Sequence, residues 1–274
     1  MIVDRPAARI DLHMHTTCSD GRFEPQEVLR RCASGGLDVV AITDHDLVCP
    51  IRPGVHELEG RQLRVVAAAE MSGVHEGREY HLLCYFPGEV PDGFHWFCEA
   101  QCRSRATRYR AALTAIDLPG LNEPDALALD GERALTRHHI ARQLVALGHA
   151  RNVGDAFNRY LSAATKNVPR IEADFCTIIR LARAHGALTS WAHPSVADVD
   201  QHLDTFAKAG LQGIEGLRPT IIARQRNHFR RMARRYGLFL TGGSDWHGWK
   251  EADLGLFYLQ ARELGDFVEA LAAA

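Results

Sequence analysis

Apolar, β-branched runs alternate with amphipathic segments along most of this chain, and no other feature narrows its fold so far. ARIDLHMH, PQEVLRRCASGG and LDVVAITDH read as strand, helix, strand. Further strands are expected at LRVVAAAEMS, YHLLCYF, GALTSWAHP, LQGIEGL and LFLTGGSDWH. Helices are expected at TIIRLARAHG, VDQHLDTFAKAG and ARQRNHFRRMARRYG between the later ones. About seven such units predict an α/β fold, a closed or nearly closed parallel barrel. At 274 residues and 46% apolar, the chain can bury one such core.

The alternation breaks between Pro91 and Arg170, where HWFCEAQCRSRATRYRAALTAI, ERALTRHHIARQLVALG and VGDAFNRYLSAAT carry helical periodicity without strand signals. The expectation is an inserted helical subdomain over 91–170, covering a barrel built from 1–90 and 171–274. AREL through LAAA is expected to form a last helix.

The formal charge of -2 argues against a nucleic-acid field over the whole surface. Arginine dominates the basic residues, with lysine only at Lys166, Lys208 and Lys250. The seven cysteines form no CxxC, no signal-peptide pattern opens the sequence, and no apolar run approaches the roughly 20 residues that span a bilayer. A cytoplasmic protein with reduced thiols, no membrane contact and no obligate protein partner is expected.

Nine potential metal ligands fall in six short clusters, nearly all where a strand signal stops. They are His13 and His15 in DLHMH, Asp20 in CSDG, His45 in ITDHD, Glu70 in AAEMS, His81 in EYHLL, His193 in WAHP, and Asp245 with His247 in GSDWH. Alternate residues of a strand face the same way, so His13 and His15 can reach one ion. Strand ends of a parallel barrel meet at one rim, which brings distant clusters together. Imidazoles and carboxylates suit Zn, Mn, Fe or Mg, and nine donors exceed what one ion uses. The count points to a multinuclear site. Asp44 has the position of an acceptor that orients an imidazole, and Asp46 reads as a cap or a surface residue.

HMH, TDHD, the Glu of AAEMS, EYH, AHP and GSDWH occur in the order of the motifs of the polymerase and histidinol phosphatase (PHP) phosphoesterases, which the chain resembles over residues 11 to 247. The DG after DLHMHTTCS, the TDHD form and the central insertion are most similar to the branch of 3',5'-nucleoside bisphosphate phosphatases and a related 5'-to-3' exoribonuclease. The resemblance implies a distorted (β/α)7 TIM-like barrel and three divalent metals, with Mn2+ first among the candidates and Mg2+, Fe2+ or Zn2+ as alternatives. It assigns His13, His15, Glu70 and Asp245 to one ion, Glu70, His81 and His193 to a second, and Asp20, His45 and His247 to a third. Many relatives have histidine where this chain has Asp20. The implied activity is hydrolysis of a 3'-phosphate from a nucleoside 3',5'-bisphosphate, with a hydroxide held between two ions as nucleophile and Glu70, His193 and Asp245 at its centre. The rival is exonucleolytic attack on short 5'-phosphorylated oligonucleotides with the same site; a histidinol phosphatase is less similar. An amidohydrolase also begins with HxH but commonly bridges its metals with a lysine, and the first lysine here is Lys166.

For the substrate, TRHHIAR places Arg137, His139 and Arg142 on one helix, and KNVPR puts Lys166 and Arg170 where the insertion rejoins the barrel. These are expected phosphate contacts. Ser72 is placed to donate a hydrogen bond to phosphate, and Arg218 in GLRP stands at the same rim, where many relatives carry an aromatic residue. The run RSRATRYR reads as a solvated helix face.

Overall fold

The computed structural model describes residues 5–249 and 252–273; Lys250, Glu251, Ala274 and the first four residues lie outside them. Nine strands among these residues form one curved sheet: β1 (Arg9–Asp11), β2 (Val39–Ile42), β3 (Gly54–Leu58), β4 (Arg61–His75), β5 (Arg78–Phe86), β6 (Leu188–Trp191), β7 (Gly213–Leu217), β8 (Phe239–Gly242) and β9 (Leu259–Gln260). Their order is β8-β7-β6-β5-β4-β2-β1-β9, with β3 paired to β4. Just past β1 and β8, Met14 bridges Trp246 in parallel fashion, the His15 amide donates to the Trp246 carbonyl, and the Asp245 amide donates to that of His13. The barrel therefore closes at the rim where the clusters of potential ligands lie.

Two corrections to the parallel-barrel expectation share one physical cause. β5 runs antiparallel to both β4 and β6, and β3 antiparallel to β4. Two-residue turns at Glu59-Gly60 and Glu76-Gly77 make these hairpins, and all four residues have positive φ (52°, 76°, 49° and 77°). Primed turns of this kind match the twist of the strands they join. The repeated Glu-Gly-Arg in LEGRQ and HEGRE was the available signal. Reversal of β5 also explains why His81 lies early in its strand: opposite Ser72 on β4, that end of β5 is at the rim. β3 and the two-residue β9, antiparallel to β1, were not anticipated.

Inward-facing residues fill the barrel: Ile10, Leu12, Ala68, Leu83, Tyr85 and Leu217 among them. Helix α9 (Gly265–Ala273) packs Phe267 and Leu271 against the same cluster. Outside, α6 (Phe175–Ala184), α7 (Val196–Lys208) and α8 (Ala223–Tyr236) cover β4 to β8. Trp191 and Phe206 meet edge to face at 4.7 Å, each burying a side chain worth about 1.5–3 kcal/mol. The helices start where capping predicts: Asp174 accepts from the Thr177 amide and Ser195 from that of Asp198. Helix α1 (Pro25–Ser34) opens on proline.

Between β5 and α6 lie α2 (Asp92–Ile116), α3 (Ala126–Asp130), α4 (Arg137–Ala146) and α5 (Val153–Ala156), the last running into a π turn at Phe157–Leu161. They share an apolar cluster of their own. The helix expected from Glu132 begins at Arg137, because Thr136 caps it there, accepting from the His138 amide.

RSRATRYR is not a uniform solvated face. Arg103 and Arg110 are exposed, but Arg105 and Tyr109 are buried. Arg105 donates through Nε to Asp46 (2.6 Å), through Nη2 to the Ser72 hydroxyl (2.6 Å) and through Nη1 to the Leu135 carbonyl (3.3 Å). Asp46, buried rather than at the surface, accepts from the Ser72 amide with its other oxygen at 2.7 Å. This ion pair fastens α2 to the loop after β2 and to β4. Removing one partner of a buried pair strands the other, so Arg105→Ala should lower stability by about 3–5 kcal/mol. A urea-unfolding midpoint checks the loss, and faster proteolysis within 92–161 should accompany it.

Candidate metal centre

β1 ends at Asp11 and the chain continues extended, carrying His13 and His15 inward together. β2 ends before His45, β6 before His193, and β8 before Asp245 and His247. Glu70 sits inside β4 and is fully buried. All nine expected residues meet around it. Its Oε2 lies 3.4 Å from His13 Nε2, 3.3 Å from His15 Nε2 and 3.1 Å from His45 Nδ1. Its Oε1 lies 2.9 Å from His193 Nε2 and 3.1 Å from His81 Nδ1. Asp245 Oδ1 is 3.3 Å from His13 Nε2 and 3.4 Å from His15 Nε2. Asp20 reaches His247 Nε2 at 3.3 Å and His45 Nε2 at 3.7 Å.

His13 Nε2, His15 Nε2, His45 Nδ1, Glu70 Oε2 and Asp20 Oδ1 are buried with no hydrogen-bond partner. Each is of a type that can ligate a metal, and leaving such groups unpaired costs roughly 1–3 kcal/mol apiece. Converging orphans of this chemistry fit divalent cations. Burial opposes charge on His81, yet Glu70 and Glu79 raise its pKa to about 10; against the same opposition, Asp20 and Asp245 raise His247 to about 9. Incoming cations must displace these protons.

The surrounding carboxylates hold these side chains in place. His13 Nδ1 donates to Glu215 Oε1 at 2.8 Å, which turns Nε2 towards Glu70 and Asp245, and Glu215 Oε2 accepts from the His193 amide at 2.7 Å. Glu215, buried on β7, was missed; its only signal was an acid inside the apolar strand LQGIEGL. Asp44 accepts from the Thr16 amide and hydroxyl and from the Ser19 hydroxyl, so it anchors the loop leading to Asp20. It touches His15 only through Ser19, whose hydroxyl is 3.4 Å from Nδ1. Trp249 Nε1 donates to the Asp20 carbonyl, and Arg142 stacks on the Trp249 ring at 3.4 Å. His193 and Asp245 have positive φ, 32° and 55°; strain of this kind costs about 1–3 kcal/mol and collects at functional sites. A Cβ at Gly243 would meet the His13 backbone nitrogen at 2.5 Å, so only glycine permits this approach.

The expected substrate residues are dispersed around the cluster. Arg137 reaches into a cavity of about 120 Å3 beside Asp20, His45 and His81. His138 rather than His139 lines that cavity; His139 Nδ1 accepts the Thr136 amide at the start of α4. Glu79, another missed residue, lies 3.3 Å from His81 and 3.6 Å from Arg137. Arg137, Arg108 and Glu79 also line a second cavity of about 480 Å3, together with Lys166 and Arg170. Ser72 belongs to the Arg105 ion pair. Arg218 lines a third cavity on the far side of Asp245 and donates to the Pro194 carbonyl at 3.3 Å.

The PHP domain profile matches residues 11–120. A 5'-3' exoribonuclease of Haemophilus influenzae is 32% identical over 259 residues, covering 89% of this chain and 92% of its own length. The chain belongs to the PHP family of phosphoesterases. A 3',5'-nucleoside bisphosphate phosphatase of Chromobacterium violaceum is 27% identical over 88% of this PHP chain and 87% of its own. The crystal structure of a protein described as a metal-dependent phosphoesterase, from Bifidobacterium adolescentis, superposes with a TM-score of 0.76 at 27% identity, covering 97% of each chain. Both branch names expected for this PHP protein thus occur among its relatives, and no helix among the described residues could cross a membrane.

Glu215→Gln keeps the shape of the side chain but removes the charge behind His13. Losses of such outer partners cost about 10- to 100-fold in metal affinity. Titration of the metal-stripped protein with Mn2+ should show that loss with an unchanged circular dichroism spectrum.

Proposed function

We propose that this PHP phosphoesterase removes the 3'-phosphate from nucleoside 3',5'-bisphosphates such as adenosine 3',5'-bisphosphate, with three divalent ions, Mn2+ foremost. His13, His15, Glu70 and Asp245 would hold the first, Glu70, His81 and His193 the second, and Asp20, His45 and His247 the third. Bound there, such ions supply Lewis acidity towards phosphoryl oxygens and acidify water to act as a nucleophile.

The protein's own part is positioning. Glu70 presents one oxygen to each half of the cluster. Glu215 selects the His13 tautomer and steadies the His193 turn. The observation that carries the substrate assignment is the group of cations outside the cluster: Arg108 and Arg137 stand between the first cavity and the second, where Lys166 and Arg170 join them. A substrate whose second phosphate sits among these cations has its first phosphate at the metals. Guanidinium forks and an ammonium suit that second phosphate. The segment 91–170 supplies most of these groups and is assigned as the substrate-covering unit.

A second reading, 5'-to-3' exonucleolysis of short 5'-phosphorylated RNA, has its own support. The exoribonuclease relative spans nearly the same length, and the 480 Å3 cavity extends the path beyond the first.

With Mn2+, the purified chain should release phosphate from nucleoside 3',5'-bisphosphates. Asp245→Ala and His193→Ala should abolish release while the protein still melts cooperatively, and Arg137→Ala should raise KM about tenfold with kcat largely kept. Preferred release of mononucleotides from 5'-phosphorylated oligonucleotides would favour the second reading. Comparable turnover of histidinol phosphate or an amide would sink both.

A further inference from the structure

Two of the loops that carry proposed ligands also carry thiols. Cys18 lies in the loop after β1, two residues before Asp20, and Cys49 lies after β2, four residues beyond His45. The Sγ atoms of Cys18 and Cys49 and a carboxylate oxygen of Asp44 lie within 4.8 Å of one another. Cys18 is half-buried and Cys49 buried. The more accessible member can thus meet a solute first, with the second thiol already in reach.

We infer that Cys18 and Cys49 form a reversible oxidation site, closing to a disulfide under a hydroperoxide and thereby disturbing the Asp20–His45–His247 end of the metal centre. In the first step Cys18 sulfur attacks a peroxide oxygen; the O–O bond breaks, one oxygen stays as a sulfenic acid and the other leaves as water, taking the thiol proton. In the second step Cys49 sulfur attacks the sulfenic sulfur; the S–O bond breaks, and hydroxide departs as water with the Cys49 proton. Two thiols lose two electrons, and one hydrogen peroxide becomes two waters.

The bond needs the sulfurs at about 2.05 Å, so closing the gap from within 4.8 Å turns both side chains and pulls on the loops that carry them. Asp44 stands beside the pair and holds Thr16 and Ser19 by three hydrogen bonds. Movement there is transmitted to Asp20, one residue past Ser19. The effect on the centre rests on the proposal that Asp20 and His45 are ligands; the bond itself does not.

The test treats the Mn2+-loaded full chain with hydrogen peroxide, then reads non-reducing peptide maps, bound metal and phosphate release. The expected result is a Cys18–Cys49 peptide pair lighter by two hydrogens, with metal affinity and phosphate release reduced about tenfold, as for lost outer-shell support, and both restored by dithiothreitol. Cys49→Ser should keep its activity through the treatment and accumulate a dimedone-reactive Cys18. If that variant folds poorly, Cys18→Ser provides the same protection. Absence of the linked pair, equal loss of activity in the serine variants, or a linked pair with unchanged metal affinity would each overturn the inference. A chain inactive on every phosphate ester before oxidation would count against the proposed function instead, and the peptide map would still decide the bond.

Discussion

One buried carboxylate organises the molecule. Glu70 has no exposure and faces five imidazoles, three at one oxygen and two at the other. An isolated charge at such a place is prohibitively costly, so the fold must bring compensating groups to it. They come from the ends of β1, β2 and β6 and from the start of β5, and each arrives only if its strand keeps register with β4. Exchanging a strand's two faces needs a slip of one residue, and such a slip in β5 would turn His81 away from Glu70. The barrel closure between Met14 and Trp246 serves the same end, since it brings Asp245 against His13 and His15.

The convergence of the nine potential ligands was legible because strand ends converge and because histidines at alternate positions announce a shared face. The direction of β5 was not, since alternation of side chains is the same for a strand read either way. Only the Glu-Gly turns distinguish a hairpin from a crossover. Glu215 was hidden for a different reason: one acid in an apolar strand reads as an interruption until His13 is seen 202 positions away in sequence. Arg105 shows the limit of charge patterning. Four arginines at helical spacing look alike, and only the position of Asp46 and Ser72 sets one apart as a buried tie.

The electrostatic arrangement sorts by distance from Glu70. Imidazoles and three carboxylates make up the inner cluster, while arginine and lysine line the outer cavities on the side of α2 and α4. Glu79 sits at the boundary between His81 and Arg137.

Closure by residues 13–15 against 245–247 has a consequence for biosynthesis. Loops that long carry a large entropic penalty, and contacts across them form late. While the ribosome is still making β7, the chain already exposes His13, His15, Asp20, His45, Glu70 and His81, yet Asp245 and His247 do not exist. The nascent protein therefore passes through a stage in which most of the potential donors are present without their final geometry. Premature capture of a tightly binding wrong metal is a hazard of this topology, and synthesis of the segment after β8, with Asp245 and His247, is the event that ends it.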